Sequence, residues 1–111
     1  MSDVIRLVQN DSKPDIVLTL TDEATGLPID LSAFDTSVDV KFRAAGSSTL
    51  LSTISCTKFT TGVDGKVTFN FAGGVLDVDP GMYEGEIQIT YGSNGTQTVF
   101  DILKFRVRGE F

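Results

Sequence analysis

The sequence has no histidine and no tryptophan, a single cysteine and only two tyrosines. Without an imidazole, neither Ser/His/Asp nor Cys/His nucleophilic arrangements can be built, and histidine-based zinc sites are excluded as well. Cys56, being alone, excludes an internal disulfide and a multi-cysteine metal centre. It shares one strand face with Leu50 and Ile54 and has no base to ionise it, so it is expected to be a small core residue. The shortage of Trp and Tyr makes a sugar-stacking platform hard to assemble. Long apolar runs are missing too. No stretch approaches the length needed to span a bilayer, and Met1-Ser-Asp-Val4 lacks the basic-then-apolar plan of a secretory signal. The product is therefore expected to stay in the cytoplasm where it is made, unless it leaves inside a larger particle.

Positive charge is scarce as well. A net charge of -6 and a pI near 4.4 give a field that repels nucleic acid and anionic membrane, so neither is expected as a partner. There is no phosphate loop of the GxxxxGK type and no GxGxxG between a strand and a helix. Gly73-Gly74 and Gly92 to Gly95 read as turns. Asp77, Asp79 and the pair Asp22-Glu23 are oxygen-rich but lack the spacing of a calcium loop, and solvated loops account for them. No cofactor, metal, catalytic residue or small-molecule substrate is expected.

What the chain does contain is strand pattern. Its 111 residues suit one domain that buries roughly two thirds of its unfolded surface, which needs neither metal nor disulfide. Eight Phe among many Val, Ile and Thr favour strands over helices. The clearest case runs from Tyr83 to Tyr91, where Tyr83, Gly85, Ile87, Ile89 and Tyr91 alternate with Glu84, Glu86, Gln88 and Thr90. Six more strands are expected: Val4 to Gln9, Asp15 to Thr21, one around Val38-Val40-Phe42, Leu50 to Thr57, Lys66 to Phe71, and Gln97 to Arg108. Asn10 to Pro14 is a turn by composition, and Leu27 to Leu31 a short extended piece around Pro28. Asp64-Gly65 is a tight-hairpin dipeptide, which makes the Leu50 and Lys66 strands antiparallel neighbours. Entry into the Tyr83 strand through Pro80-Gly81 resembles the corner of immunoglobulin-like sandwiches, where a tyrosine hydroxyl bonds back to the chain. The expected fold is therefore all-β, an immunoglobulin-like antiparallel β-sandwich of about seven strands.

The last hairpin contains an anomaly. With its turn centred near Asn94, Tyr91 opposes Gln97 and Ile87 opposes Asp101, so Val99, Asp101, Leu103, Phe105 and Val107 point inward. An aspartate then faces the core, while Phe100 and Ile102 face outward beside Lys104, Arg106 and Arg108. Either a bulge near Asp101 flips the first half and buries Phe100 and Ile102, or the two form an exposed patch for a partner. Glu84 and Glu86 oppose the stretch carrying Lys104 and Arg106, so cross-strand charge pairing explains these carboxylates better than acid/base chemistry. As a nucleic-acid patch the basic stripe is weakened by those glutamates and by the absence of interleaved aromatics.

The order of motifs is itself recognisable. Leu18-Thr-Leu-Thr-Asp22, Gly26-Leu-Pro-Ile-Asp-Leu31, Val38-x-Val-x-Phe42, Asp64-Gly-Lys-Val-Thr-Phe69 and Pro80-Gly-Met-Tyr-Glu-Gly-Glu-Ile87 follow one another over nearly the whole chain. This succession resembles the immunoglobulin-like domain at the N-terminus of phage baseplate upper proteins. The resemblance implies a β-sandwich building block of a tailed-bacteriophage virion, with no catalytic residues to carry over. In that family the sandwich usually opens a longer polypeptide, whereas this sequence ends at Phe111, so a free-standing accessory protein and a domain of a longer chain both stay open. The expected function is noncatalytic assembly in baseplate, tail, neck, fibre attachment or capsid surface, with other virion proteins and further copies of the chain as partners and the virion as location. The alternative is a host-surface or carbohydrate recognition module. Interface candidates are Phe100, Ile102, Arg106 and Arg108 on the last strand, with the chain ends Val4 to Val8 and Glu110 to Phe111, of which Val4, Val8 and Phe111 are singled out.

Overall fold

From Tyr83 to Ile89, burial alternates at every residue: Tyr83, Gly85, Ile87 and Ile89 are buried, while Glu84, Glu86 and Gln88 meet solvent. That period of two repeats in strand after strand, and it sorts the chain into two sheets sharing one apolar layer. The computed structural model describes residues 4–22, 24–33, 35–59 and 61–109. In chain order the strands are β1 (Val4–Val8), β2 (Ile16–Thr19), β3 (Thr36–Ala44), β4 (Leu50–Ser55), β5 (Thr57–Lys58), β6 (Lys66–Phe69), β7 (Gly81–Tyr91) and β8 (Thr96–Arg108). One sheet has the order β1-β8-β7-β3-β4 and the other β2-β6-β5. The fold is an all-β sandwich, as the sequence pattern indicates.

Three expectations need correction. First, the sheets are not wholly antiparallel, since β1 runs parallel to β8. Alternation carries no direction, and no hairpin ties these two strands together, so their relative sense was not encoded locally. Second, the expected strand from Leu50 to Thr57 is two strands. Leu50–Ser55 pairs with β3, the chain steps across at Cys56, and Thr57 already opposes Thr68 in the other sheet. The pattern continues through this step because both sheets face the same core. The Asp64-Gly65 turn accordingly joins β6 to the two-residue β5, and β4 is the neighbour of β3 instead.

The third correction concerns the last hairpin. Up to Glu86 opposite Ile102 the expected register holds, but the next pair is Gln88 with Thr98. Only Ile87 lies between the β7 partners, whereas Val99, Phe100 and Asp101 lie between those of β8, so the bulge contains two extra residues. Ile89, not Tyr91, therefore opposes Gln97. An insertion of two preserves parity, and Leu103, Phe105 and Val107 keep facing inward. The bulge does not flip Ile102 into the core: that residue is half-buried opposite Glu86, and Val99 is the one that packs against the core. The side chains of Phe100 and Asp101 lie outside the described part of the chain.

Phenyl groups link the two sheets. Phe105 of β8 has ring centroids 5.6 Å from Phe42 of β3 and 5.8 Å from Phe71, which follows β6, while Phe42 stacks on Tyr83 at 5.1 Å. Burying a phenyl of this kind stabilises by roughly 2–3 kcal/mol. Gly85 makes the packing possible, because a Cβ there would lie 2.9 Å from both the Phe105 ring and Val40.

Candidate interaction surface

The outer face of the five-stranded sheet is built row by row from the strand registers. Parallel pairing sets Val4 beside Lys104, Arg6 beside Arg106 and Val8 beside Arg108. On the other side of β8, Met82 lies beside Arg106 and Glu84 beside Lys104. Arg43 of β3 follows next to Glu84, and its Nε is 3.6 Å from Glu84 Oε1. The carboxylate expected to pair with Lys104 or Arg106 thus has its ion pair with Arg43, and Glu86 sits between Ile102 and Lys41. Like charges directly opposite on a sheet disfavour one another, and Arg6 with Arg106 is such a pair.

Four of the nine basic residues, Arg6, Lys104, Arg106 and Arg108, therefore gather on two adjacent strands of an acidic chain. Arg6, Lys104, Arg106 and Arg108 are all exposed. Apolar groups fringe them: Val4 is 40% exposed, Met82 43%, and Val8 is half-buried. A depression of about 240 Å³ runs between the strands, lined by Arg6, Leu7, Val8, Arg106 and Arg108. A wider one of about 460 Å³ lies across β8, lined in part by Pro80, Met82, Arg106 and Arg108. Arg106 and Arg108 form the ridge between them.

Of the residues expected at an interface, Val4, Val8, Arg106 and Arg108 come together here, and Ile102 lies farther along the same face. Glu110, Phe111 and the side chain of Phe100 are outside the described residues. Arg6 lies within the candidate stretch Val4 to Val8 but was not named by itself, although Val4, Arg6 and Val8 share one strand phase. Its neighbour Arg106 is a hundred positions away, and only the parallel register joins them.

The other chemistry-bearing residues are engaged otherwise. Cys56 is half-buried, and its thiol is pushed up to about 12, first by burial and then by the nearby Asp39 carboxylate. A thiol held protonated in this way is a poor nucleophile. Asp22 accepts the Ala24 N–H at 2.8 Å, and the Asp79 carbonyl accepts the hydroxyl of Tyr83. Glu23, the second acid of the Asp22 pair, is outside the described residues. Among the described residues no three His, Cys, Asp or Glu come together as a cation site. No protein-family model matches the chain, and no curated protein matches it significantly.

Proposed function

We propose that this chain is a noncatalytic structural protein of a tailed-bacteriophage virion, docking through its strand faces and edges onto neighbouring virion proteins and onto copies of itself. The observation that carries this reading is the convergence of Val4, Arg6, Val8, Arg106 and Arg108 on one outer face at the edge of the larger sheet. Arginine with an apolar fringe is the composition of protein contact surfaces. The motif order described above supplies the phage context.

The opposite edge of that sheet suits contact between copies. Among the described residues β4 has an open side, and no charged residue occurs between Arg43 and Lys58. Leu50 and Leu51 are 50% and 47% exposed. Two chains of net charge -6 can meet there without opposing like charges at the seam.

The experiment is to purify particles of the encoding phage and probe them with antibody against this chain, alongside light scattering of the isolated protein. The reading expects the chain in the particle at a fixed stoichiometry and self-association in solution. Its absence from particles, together with a strictly monomeric protein, refutes it.

A further inference from the structure

We propose that the open edge of β1 accepts an extended segment of another protein in which acidic and apolar residues alternate, adding a sixth strand whose carboxylates lie against Arg6 and the β8 arginines. This inference rests on the assembly reading above and specifies the partner.

Backbone phase shows that the edge is available. The N–H of Gln9 donates to the Arg108 carbonyl at 2.8 Å, so Gln9, Leu7 and Ile5, which share its phase, turn their peptide groups toward β8. Val4, Arg6 and Val8 turn theirs the other way, where β1 has no neighbouring strand among the described residues; the Val8 carbonyl there accepts the Asp11 N–H at 3.2 Å, so the groups of Val4 and Arg6 and the Val8 N–H are the ones open to an added strand. Strand addition uses such groups.

Side-chain phase then specifies the occupant. On the inner side of β1, Leu7 is buried and Ile5 is half-buried against the core, so alternate residues of an added strand must be apolar to cover Ile5. On the outer side the same strand meets Arg6, with Arg106 in the next column. Among the described residues neither Arg6 nor Arg106 forms an ion pair. Alternate side chains of an extended segment are about 6.6 Å apart, the spacing that separates Arg106 from Arg108 along β8. One carboxylate thus stands directly beside Arg6, and those two residues before and after it pass over Val4 and Val8 toward Lys104 and Arg108 in the next column.

Charge also disfavours a second copy at this edge. Antiparallel pairing of two β1 strands centred on Arg6 opposes Arg6 to Arg6 and brings two Arg106 side chains beside them. The device repels self-pairing and selects an acidic partner.

The test titrates the intact protein with three synthetic probes: a seven-residue peptide alternating Glu and Val, the same composition in blocks, and an alternating Lys and Val peptide. Binding is followed by calorimetry and by amide exchange. The alternating acidic peptide is expected to bind at least about tenfold tighter than its block isomer. It should also protect the Arg6 and Val8 amides and lose affinity with added salt. Arg6→Gln with Arg106→Gln, both at exposed positions, should weaken it about tenfold or more while leaving the thermal melt in place. Equal binding of all three probes, protection at β4 instead of β1, or affinity unchanged in the double variant overturns the proposal. The two readings separate cleanly. A chain found in particles whose β1 edge ignores the acidic peptide keeps its assembly role and loses this partner, and the reverse result does the opposite.

Discussion

The hydroxyl of Tyr83, near the start of β7, donates a hydrogen bond to the backbone carbonyl of Asp79, four residues upstream. The bond ties the loop arriving from the smaller sheet to the start of β7 in the larger one. Meanwhile the ring is buried and stacked on Phe42 at 5.1 Å. Burial, and secondarily the Asp79 carboxylate, raise the phenol above its ordinary value, so it remains a donor well into the alkaline range.

Replacing Tyr83 by Phe keeps the stacked ring and removes only the hydroxyl. The expected loss is about 1 kcal/mol, the usual net worth of such a bond. Urea unfolding should show a lower midpoint at unchanged slope. A midpoint equal to wild type would show that the corner contributes nothing to stability.

Two glycines with left-handed backbone offer a controlled comparison. Gly65 has φ 70° and a Cβ placed there would meet the Leu20 carbonyl oxygen at 2.5 Å, whereas Gly73 has φ 81° and open space around it. The Leu20 N–H already donates to the Gly65 carbonyl at 2.9 Å, so the backbone has little room to yield. Gly73→Ala should cost about 1 kcal/mol for conformation alone. Gly65→Ala should exceed it by at least ~2 kcal/mol, the added cost of a steric clash in a packed interior. Equal thermal shifts for the two variants would contradict this.

The bulge in β8 predicts unequal costs at adjacent positions. Leu103 is 2% exposed and belongs to the core, whereas Ile102 is half-buried on the outer face. Leu103→Ala is expected to destabilise by about 2–4 kcal/mol, and Ile102→Ala by about 1 kcal/mol or less. Comparable losses at both sites would mean that the bulge turns Ile102 inward after all.

Cys56 supplies a pH test. Its thiol ionises near its ordinary 9.0 once the chain unfolds but near 12 in the fold. Between those values the unfolded chain has lost a proton that the native state retains, so the contribution of Cys56 to stability is constant below pH 9 and falls as pH rises toward 12. Cys56→Ala should flatten part of that alkaline decline in chemical denaturation series. Iodoacetamide at pH 8 should label the thiol in urea far faster than in buffer, and equal labelling rates would refute a suppressed thiolate.

How much of this was legible beforehand varies with the range of the interaction. The alternation in Val38-Val40-Phe42, Val67-Phe69 and Leu103-Phe105-Val107 named the buried residues, because the direction of a side chain on a strand depends only on its immediate neighbours. The Tyr83 corner was readable for the same reason, since its donor and acceptor are four residues apart. Ile102 was harder. The parity of the strand pointed it outward while a bulge that would bury it stayed open, and a two-residue bulge leaves parity intact and so gives no signal in the pattern.

The sequence by itself determined the all-β class, the inward face of most strands and the lack of imidazole chemistry, all of which follow from composition and local periodicity. The tertiary structure decided that β1 runs parallel to β8, that the chain changes sheets at Cys56, and that Arg6 stands beside Arg106. Those outcomes depend on which of several compatible strand edges come together across nearly the full length of the chain. Phe42, Phe71 and Phe105 pack together between the sheets only when those edges have met, and no local window of residues encodes the choice.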